Sequence, residues 1–388
     1  MVAAFWTIPA LAAFAVSAGP AQRYELEARP FVSPAVAARR ILLPAILPAV
    51  VAAAALVFIL AFGEYGCAAI WQVNTYPAHV LSICLGMFDP RLAASASLVP
   101  ALVTGLVAVG ALLIASRALA LTGVERANVP AETLWRPSLG VRILFAVTTL
   151  LLVGLPAALC IWWAASAWTG LAALGGVFQD LGSAALIACA VGLVSSLVAA
   201  LAASSHWING ARWRTAIAVI ALVAFLLPAA GAGLAIKRIA SCGFLPAGFG
   251  DTPMALVLAH AGRFMAIPLL LSLIALSRVG DGYRRLAEVS GARGFRGLVA
   301  VGLPLVFPAA LAGFVVAAVL SVSELPIALL LSPPGRPPIS VDLFNLMHYA
   351  RQSDALTVAL AMSVVSSVGV LAVLFVSKRL WTRYLPTT

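Results

Sequence analysis

The chain has 388 residues, of which 63% are hydrophobic and only 10% are charged, whereas ordinary soluble domains carry about 25% charged residues. A soluble fold of this length cannot bury so much apolar surface, so the composition indicates an integral membrane protein. The net charge of +11 comes without a basic stripe or an aromatic platform, which argues against nucleic-acid binding and favours basic residues acting as topology signals beside membrane spans.

About nine apolar runs approach the length of about 20 residues that a helix needs to cross the hydrocarbon core of a bilayer. In chain order they lie near 3–18, 43–66, 93–117, 143–168, 183–204, 213–236, 254–277, 305–331 and 355–377. Helices are the expected spanning element, because lipid offers the backbone no hydrogen-bond partners and the runs lack the alternation of barrel strands. The predicted fold is therefore all-α, a polytopic transmembrane helical bundle.

The basic residues concentrate on one side of these spans. Segments 19–42, 118–142, 205–212, 278–302 and 378–388, together with Arg117 and Arg214, hold 18 of the 24 Lys and Arg residues. The opposite loops hold five, and Arg263 lies inside a span. Because positive charge marks the cytoplasmic side, the C-terminus is predicted to be cytoplasmic and residue 1 to lie outside.

Parts of the chain repeat at an offset of 260 residues. LPAILPA at 43–49 matches LPLVFPA at 303–309, and at the same offset Glu64 falls on Glu324. Each copy reads as a span, a basic loop, the Leu-Pro run, a span, an outer loop and a span, so the repeat is parallel. The predicted domains are a partial first repeat at 1–118, a cytoplasmic linker at 119–142 and a complete second repeat at 143–388.

The basic loop before each Leu-Pro run resembles the EAA loop of ABC importer permeases, whose pattern is E-A-A-x3-G-x9-I-x-L-P. The second copy reads RLAEVSG at 285–291, nine residues and VGLP at 301–304, with Arg285 in place of the motif Glu. The first copy reads ELEARPF at 25–31, nine residues and ILLP at 41–44, with Phe31 in place of the motif Gly.

The whole chain is similar to the fused two-copy permeases of the MetI-like type that import ferric iron, thiamine and related small solutes. The resemblance implies a permease subunit in the bacterial inner membrane, served by two copies of an ATPase subunit and by a solute-binding protein outside. That family has more spans than this chain, so we expect an N-terminal truncation or a start site placed too late. No Walker A sequence, catalytic constellation or Cys-x-x-Cys pair occurs in the chain. We therefore predict no enzyme activity and no cofactor in this subunit, with ATP bound by its partner.

By resemblance, the two loops are short coupling helices that dock on the ATPase subunits. The candidate coupling residues are Glu25, Pro34, Ala35, Glu288, Gly291, Ala292 and Arg293. The physical reason for a glycine at 291 is either a close approach to a neighbour or a left-handed turn, both of which only glycine permits cheaply.

Four ionisable residues are candidates for the solute path or a gate, because ionisable groups at membrane depth are costly and mark functional sites. Glu64 and Glu324 lie near the outer ends of equivalent spans, and His260 and Arg263 lie one helical turn apart on one face. We expect Arg263 to pair with Glu324. A structural ion pair, an interfacial position and the capping of a neighbouring helix are the alternatives to solute contact.

The prolines and glycine near 333–338 predict an outer turn, followed by a short amphipathic segment near 340–350. Three other functions stay open: an ion-coupled secondary transporter, a membrane-embedded enzyme or assembly factor, and a non-functional permease remnant. The resemblance favours ferric iron or a small organic solute such as thiamine, while a phosphonate and a polyamine also remain open.

Overall fold

A computed structural model describes residues 30–70, 72–122, 139–166, 172–204, 206–278, 289–291, 294–349 and 351–384. Within these ranges the chain is helical and contains no β-strand. The described residues include four helices long and apolar enough to cross a membrane, or up to seven such spans if each of three bent helix pairs counts as one. The all-α class is thus confirmed for the described residues, and the length and hydropathy of these helices are compatible with a multi-pass membrane bundle. The count of nine spans stays a prediction.

The eighteen α-helices that the structure describes are numbered in chain order. The first nine are α1 Pro34–Ala37, α2 Leu43–Phe62, α3 Gly66–Ile70, α4 Tyr76–Leu85, α5 Pro90–Ala96, α6 Leu98–Thr122, α7 Leu139–Thr149, α8 Leu155–Ser166 and α9 Ala172–Ser204. The others are α10 His206–Leu226, α11 Ala229–Ser241, α12 Pro253–Phe264, α13 Ala266–Arg278, α14 Gly294–Gly297, α15 Leu303–Ser323, α16 Pro326–Leu330, α17 Ile339–His348 and α18 Gln352–Tyr384.

The candidate spans correspond to most of the predicted apolar runs. The four uninterrupted ones are Pro90–Ala111, Gln179–Ser204, Gly294–Ser323 and Ser353–Ala372. The bent pairs are Ala35–Ile41 with Ile46–Phe62, Ala216–Leu226 with Ala229–Ser241, and Pro253–Phe264 with Ala266–Leu276. The predicted run 3–18 lies outside the described residues. The run near 143–168 is helical from Leu139 to Ser166 but is not among these candidates.

Two predicted spans are broken where the sequence places proline. The run near 213–236 bends by 108° between α10 and α11, at Leu227 and Pro228. The run near 305–331 is not one helix, because α15 ends at Ser323 and α16 begins at Pro326. Proline has no N–H to continue the ladder, and its ring collides with the carbonyl four residues earlier. The prediction of a continuous span there was wrong at its C-terminal end.

Three turns of π-helix lie directly before Leu-Pro pairs. They are Ala38–Leu42, Leu150–Gly154 and Leu298–Gly302, and the pairs begin at Leu43, Leu155 and Leu303. In the third, the N–H of Leu303 donates to the carbonyl of Leu298, five residues earlier. This wider turn displaces the carbonyl that the proline ring would otherwise strike, so the helix continues through the proline.

The element bounds recur at the offset of 260 found in the sequence. Helix α1 corresponds to α14, the π turn at Ala38–Leu42 to that at Leu298–Gly302, and α3 to α16. Helices α2 and α15 begin at equivalent residues, and each contains an internal proline, Pro48 or Pro308. Local structure therefore follows the sequence repeat beyond the short Leu-Pro match.

The described chain divides by packing into two compact units. The smaller unit contains the described residues up to Cys67 and Val99–Trp162, and the larger contains Ala68–Leu98 and the described residues from Trp163 onward. The predicted domain limits at 118 and 142 were drawn from the sequence repeat and not from helix packing. The division into two units does not test them, and they stay a prediction.

In the larger unit, glycine allows α15 to pack closely against two neighbours. A Cβ on Gly313 would overlap the Cβ of Pro268 on α13. A Cβ on Gly192 of α9 would lie 2.6 Å from the backbone oxygen of Phe314. Small residues at such crossings are typical of membrane helices, where close van der Waals packing holds the helices together.

The predicted amphipathic segment is present as α17, after a turn in which Gly335 has a φ of +75°. Ile339 on α17 packs with Leu181 and Ala184 of α9 and Val358 of α18. This apolar cluster holds α17 against the larger unit.

Candidate functional site

A buried ion pair lies beside the break between α15 and α16. Arg263 on α12 is only 8% exposed, and its Nη1 lies 3.2 Å from Oε1 of Glu324, whose side chain is 11% exposed. The guanidinium carbon also lies 5.7 Å from the centroid of the Phe264 ring. The pairing of Arg263 with Glu324 expected from the sequence is confirmed.

His260 forms a second contact in parallel with the ion pair. Its Nδ1 lies 2.8 Å from Oγ of Ser321, and both contacts join residues 61 positions apart. His260 and Arg263 are one turn apart on α12, as Ser321 and Glu324 are at the end of α15. The contacts His260–Ser321 and Arg263–Glu324 thus connect α12 to the end of α15, and we call these four residues the polar ladder. Ser321 was not predictable from the sequence, because a serine in an apolar helix gives no signal of its partner.

Two nitrogens of the polar ladder lack a hydrogen bond; the one on Arg263 is a donor, and the one on His260 donates or accepts according to the ring tautomer. Nε of Arg263 and Nε2 of His260 are buried and make no hydrogen bond with the described residues. A guanidinium carries five N–H donors, and buried polar groups are normally hydrogen-bonded. Arg263 therefore retains a capacity to bind an oxygen acceptor in addition to Glu324.

Two further contacts fix the backbone around Glu324. The hydroxyl of Ser340 on α17 donates to the carbonyl of Glu324 at 3.1 Å, so α12, α15 and α17 meet at this residue. The ammonium of Lys237 on α11 donates to the carbonyl of Leu330 at the end of α16, at 3.4 Å. A second cation thus holds the short helix that follows the break.

Glu64, the counterpart of Glu324 in the repeat, lies in the smaller unit and makes a hydrogen bond within its own segment. Its Oε1 accepts a hydrogen bond from the N–H of Gly66 at 2.9 Å, at the start of α3. Helix capping by a side-chain oxygen was one of the alternatives to a solute contact. The structure gives Glu64 this capping bond.

Gly291, in the second candidate coupling loop, is exposed and has a φ of +77°. A Cβ at this position would meet no atom of the described residues within 4 Å. The left-handed turn is therefore a sufficient reason for this glycine.

The other candidate coupling residues are only partly described. Pro34 begins α1 and Ala35 is exposed. Phe31, which occupies the glycine position of the first loop, is 86% exposed. Glu25, Glu288, Ala292 and Arg293 lie outside the described residues.

An acidic pair that the sequence did not reveal lies near α17. Burial, and then the negative charge of Asp180, raise the pKa of Asp342 from 3.8 to about 6. Asp180 directly precedes Leu181 and Asp342 lies three residues after Ile339, and both of these apolar residues belong to the cluster that joins α9 to α17. Nothing in the local sequence of either residue indicates the other.

No protein-family model matches the chain, and no curated protein matches it. Its function has to be inferred from its own residues. The ranges that the structure describes bring no three His, Cys, Asp or Glu side chains together as a metal site. Their most distinctive chemistry is the polar ladder, a buried charge pair with a spare donor at a helix break.

Proposed function

We propose that this chain is the transmembrane permease subunit of an ABC importer, which forms the solute pathway and is coupled to separate ATPase subunits. The main support for the proposal is that the same order of helices and π turns accompanies both loops at EAA-like spacing. In each copy the loop ends in a short helix and a five-residue π turn, and a long helix and a five-residue helix follow it. Sequence spacing and local structure therefore support the same duplication.

The proposed architecture is a tandem parallel repeat of the MetI-like permease core with an incomplete first copy and about nine spans. Its setting would be a bacterial inner membrane, with the C-terminus in the cytoplasm. Two ATPase subunits bind ATP on that side, and a solute-binding protein docks on the other. By resemblance the solute is ferric iron or a small organic molecule such as thiamine.

The proposed mechanism is alternating access, driven by closure of the ATPase subunits on ATP. Gly291 lies just before Gly294–Ser323, a single candidate span of 30 residues that is about 45 Å long at 1.5 Å per residue. Glu324 follows its last residue directly. A movement of the loop would therefore be transmitted to the polar ladder along one helix. The contacts within the polar ladder would then differ between the two access states.

The proposal is tested by co-purification of the ATPase subunit from the same source. Gly291→Val strains the left-handed turn, whereas Gly291→Asn tolerates it, because Asn adopts positive φ more readily than β-branched residues. We expect Gly291→Val and a deletion of 285–296 to lose the ATPase, while Gly291→Asn keeps it. Gly369→Val, in an α18 position with open space around it, is the matched control. Failure of the wild-type chain to bind any ATPase would contradict the proposal.

The buried ion pair beside a broken span also suits an ion-coupled secondary transporter, in which charged sites lie at discontinuous helices. ATP dependence of transport separates this alternative from an importer. Transport that is independent of ATP and driven by an ion gradient would favour the secondary transporter.

A further inference from the structure

The polar ladder has an asymmetry that bears on the class of solute. Two of its acceptor atoms are engaged, since Oε1 of Glu324 accepts from Arg263 and the backbone carbonyl of Glu324 accepts from Ser340. One donor is unused, because Nε–H of Arg263 makes no hydrogen bond with the described residues; Nε2 of His260 makes none either, and its role as donor or acceptor depends on the ring tautomer. The site therefore favours a ligand that brings oxygen acceptors over one that brings donors.

The positive charge of Arg263 also favours a ligand with oxygen acceptors. Arg263 is nine-tenths buried, and its positive charge is offset through one hydrogen bond of 3.2 Å to Glu324. A carboxylate or phosphate engages guanidinium through two parallel bonds, which a single Nη1 contact does not achieve. An oxyanion can therefore compete with Glu324 for Arg263.

We propose that Arg263, assisted by His260, recognises an oxyanion group of the transported solute, and that Glu324 occupies Arg263 as an internal competitor when no solute is bound. The oxyanion is a carboxylate, phosphate or phosphonate. This proposal rests on the importer function, in which the polar ladder lies on the solute path. It departs from the ferric ion and thiamine favoured by resemblance, since a cation would bind Glu324 instead.

The competition gives the proposal a signature that a purely structural ion pair would lack. Glu324→Gln removes the internal competitor, so oxyanion binding should tighten, by about 5- to 150-fold if the coupling is of the usual size. Arg263→Gln should abolish binding, and Arg263→Lys should weaken it because the planar fork is lost. The double variant Arg263→Gln/Glu324→Gln carries neither buried charge and provides a folded reference without the binding group.

The experiment measures ligand-induced thermal stabilisation of the purified chain by tryptophan fluorescence in detergent. Inorganic phosphate, methylphosphonate and acetate are titrated at constant ionic strength against chloride, with putrescine and thiamine as cationic probes. We expect saturable stabilisation by at least one oxyanion, tighter in Glu324→Gln and absent in both variants that lack Arg263. No oxyanion response in either the wild type or Glu324→Gln would overturn the proposal, as would a response that survives loss of Arg263.

Anionic lipid could supply the same chemistry, so the titration is repeated in nanodiscs of phosphatidylcholine with and without phosphatidylglycerol. Stabilisation by phosphatidylglycerol alone, with no response to the free oxyanions, would identify a lipid site and overturn the solute proposal. The assay needs no ATPase subunit. Oxyanion binding without ATPase co-purification would therefore refute the importer, whereas ATPase co-purification without oxyanion binding would refute only the solute class.

Discussion

Glu324→Gln is expected to be one of the most destabilising single changes in the larger unit, because it leaves the charge of Arg263 buried without a counter-ion. The Arg263 and Glu324 side chains are 8% and 11% exposed, so water screens their attraction little. Two unit charges about 4 Å apart attract by about 4 kcal/mol at an effective dielectric constant near 20. Removing one partner of a buried pair typically costs about 3–5 kcal/mol, and we expect a loss in unfolding free energy of that size.

A double-mutant cycle measures the coupling directly. Glu324→Gln, Arg263→Gln and the double variant are unfolded by increasing the mole fraction of sodium dodecyl sulfate in mixed micelles, with tryptophan fluorescence as the signal. The double variant should lose much less than the sum of the single losses, with a coupling of about 2–4 kcal/mol.

The control cycle uses the ion pair between Arg351 and Asp354, whose side chains are 64% and 37% exposed. Exposed pairs of this kind couple by at most about 1 kcal/mol. A coupling between Arg263 and Glu324 no larger than that of the control pair would refute the assignment of a buried, unscreened charge pair.

Two further predictions concern packing and pH. Gly313→Ala should destabilise by about 1–3 kcal/mol in the same unfolding assay, because its Cβ would overlap the Cβ of Pro268. Gly369→Ala, with open space around it, should not destabilise, and equal losses would contradict the close crossing of α13 and α15. Asp342 has its pKa raised from 3.8 to about 6, so its stabilising contribution is complete below pH 3.8 and is lost as the pH rises through about 6. Asp342→Asn should therefore flatten the fall in stability between pH 4 and 6.5, and Asp180→Asn should reduce it partly because the charge of Asp180 is the smaller cause; an unchanged pH profile in both variants would contradict this account.

The sequence was sufficient for the helical class and for most of the spans, because an apolar run of about 20 residues is typical of a helix that crosses a membrane. It was insufficient for breaks within those runs. Residues 305–331 are apolar almost throughout, so hydropathy alone predicts one span, although Pro326 carries the signal that ends it. The π turns have no signal of their own, and only their position before Leu-Pro pairs gives a physical reason for them once the structure is known.

The ion pair of the candidate site was predictable from the sequence, because a charged side chain in an apolar helix needs a partner. Arg263 in an apolar helix was expected to face a cavity or a carboxylate, and Glu324 was the partner expected for it. The contact of His260 with Ser321 and the proximity of Asp180 to Asp342 depend on how α12, α15, α9 and α17 pack. That packing is set by close crossings such as Gly313 on Pro268, which a single sequence does not specify.

The importer account is tested most directly by photo-crosslinking from both candidate coupling loops. Single cysteines are introduced as Ala35→Cys and Ser290→Cys, both at exposed positions, after replacement of the five native cysteines, and each is labelled with a benzophenone maleimide. Arg336→Cys, at an exposed position on the face predicted to be opposite, is the control. The account predicts that both loop positions crosslink to the ATPase subunit and that the control does not. Absence of crosslinks from both loops in a folded chain, or equal crosslinking from Arg336→Cys, would contradict it.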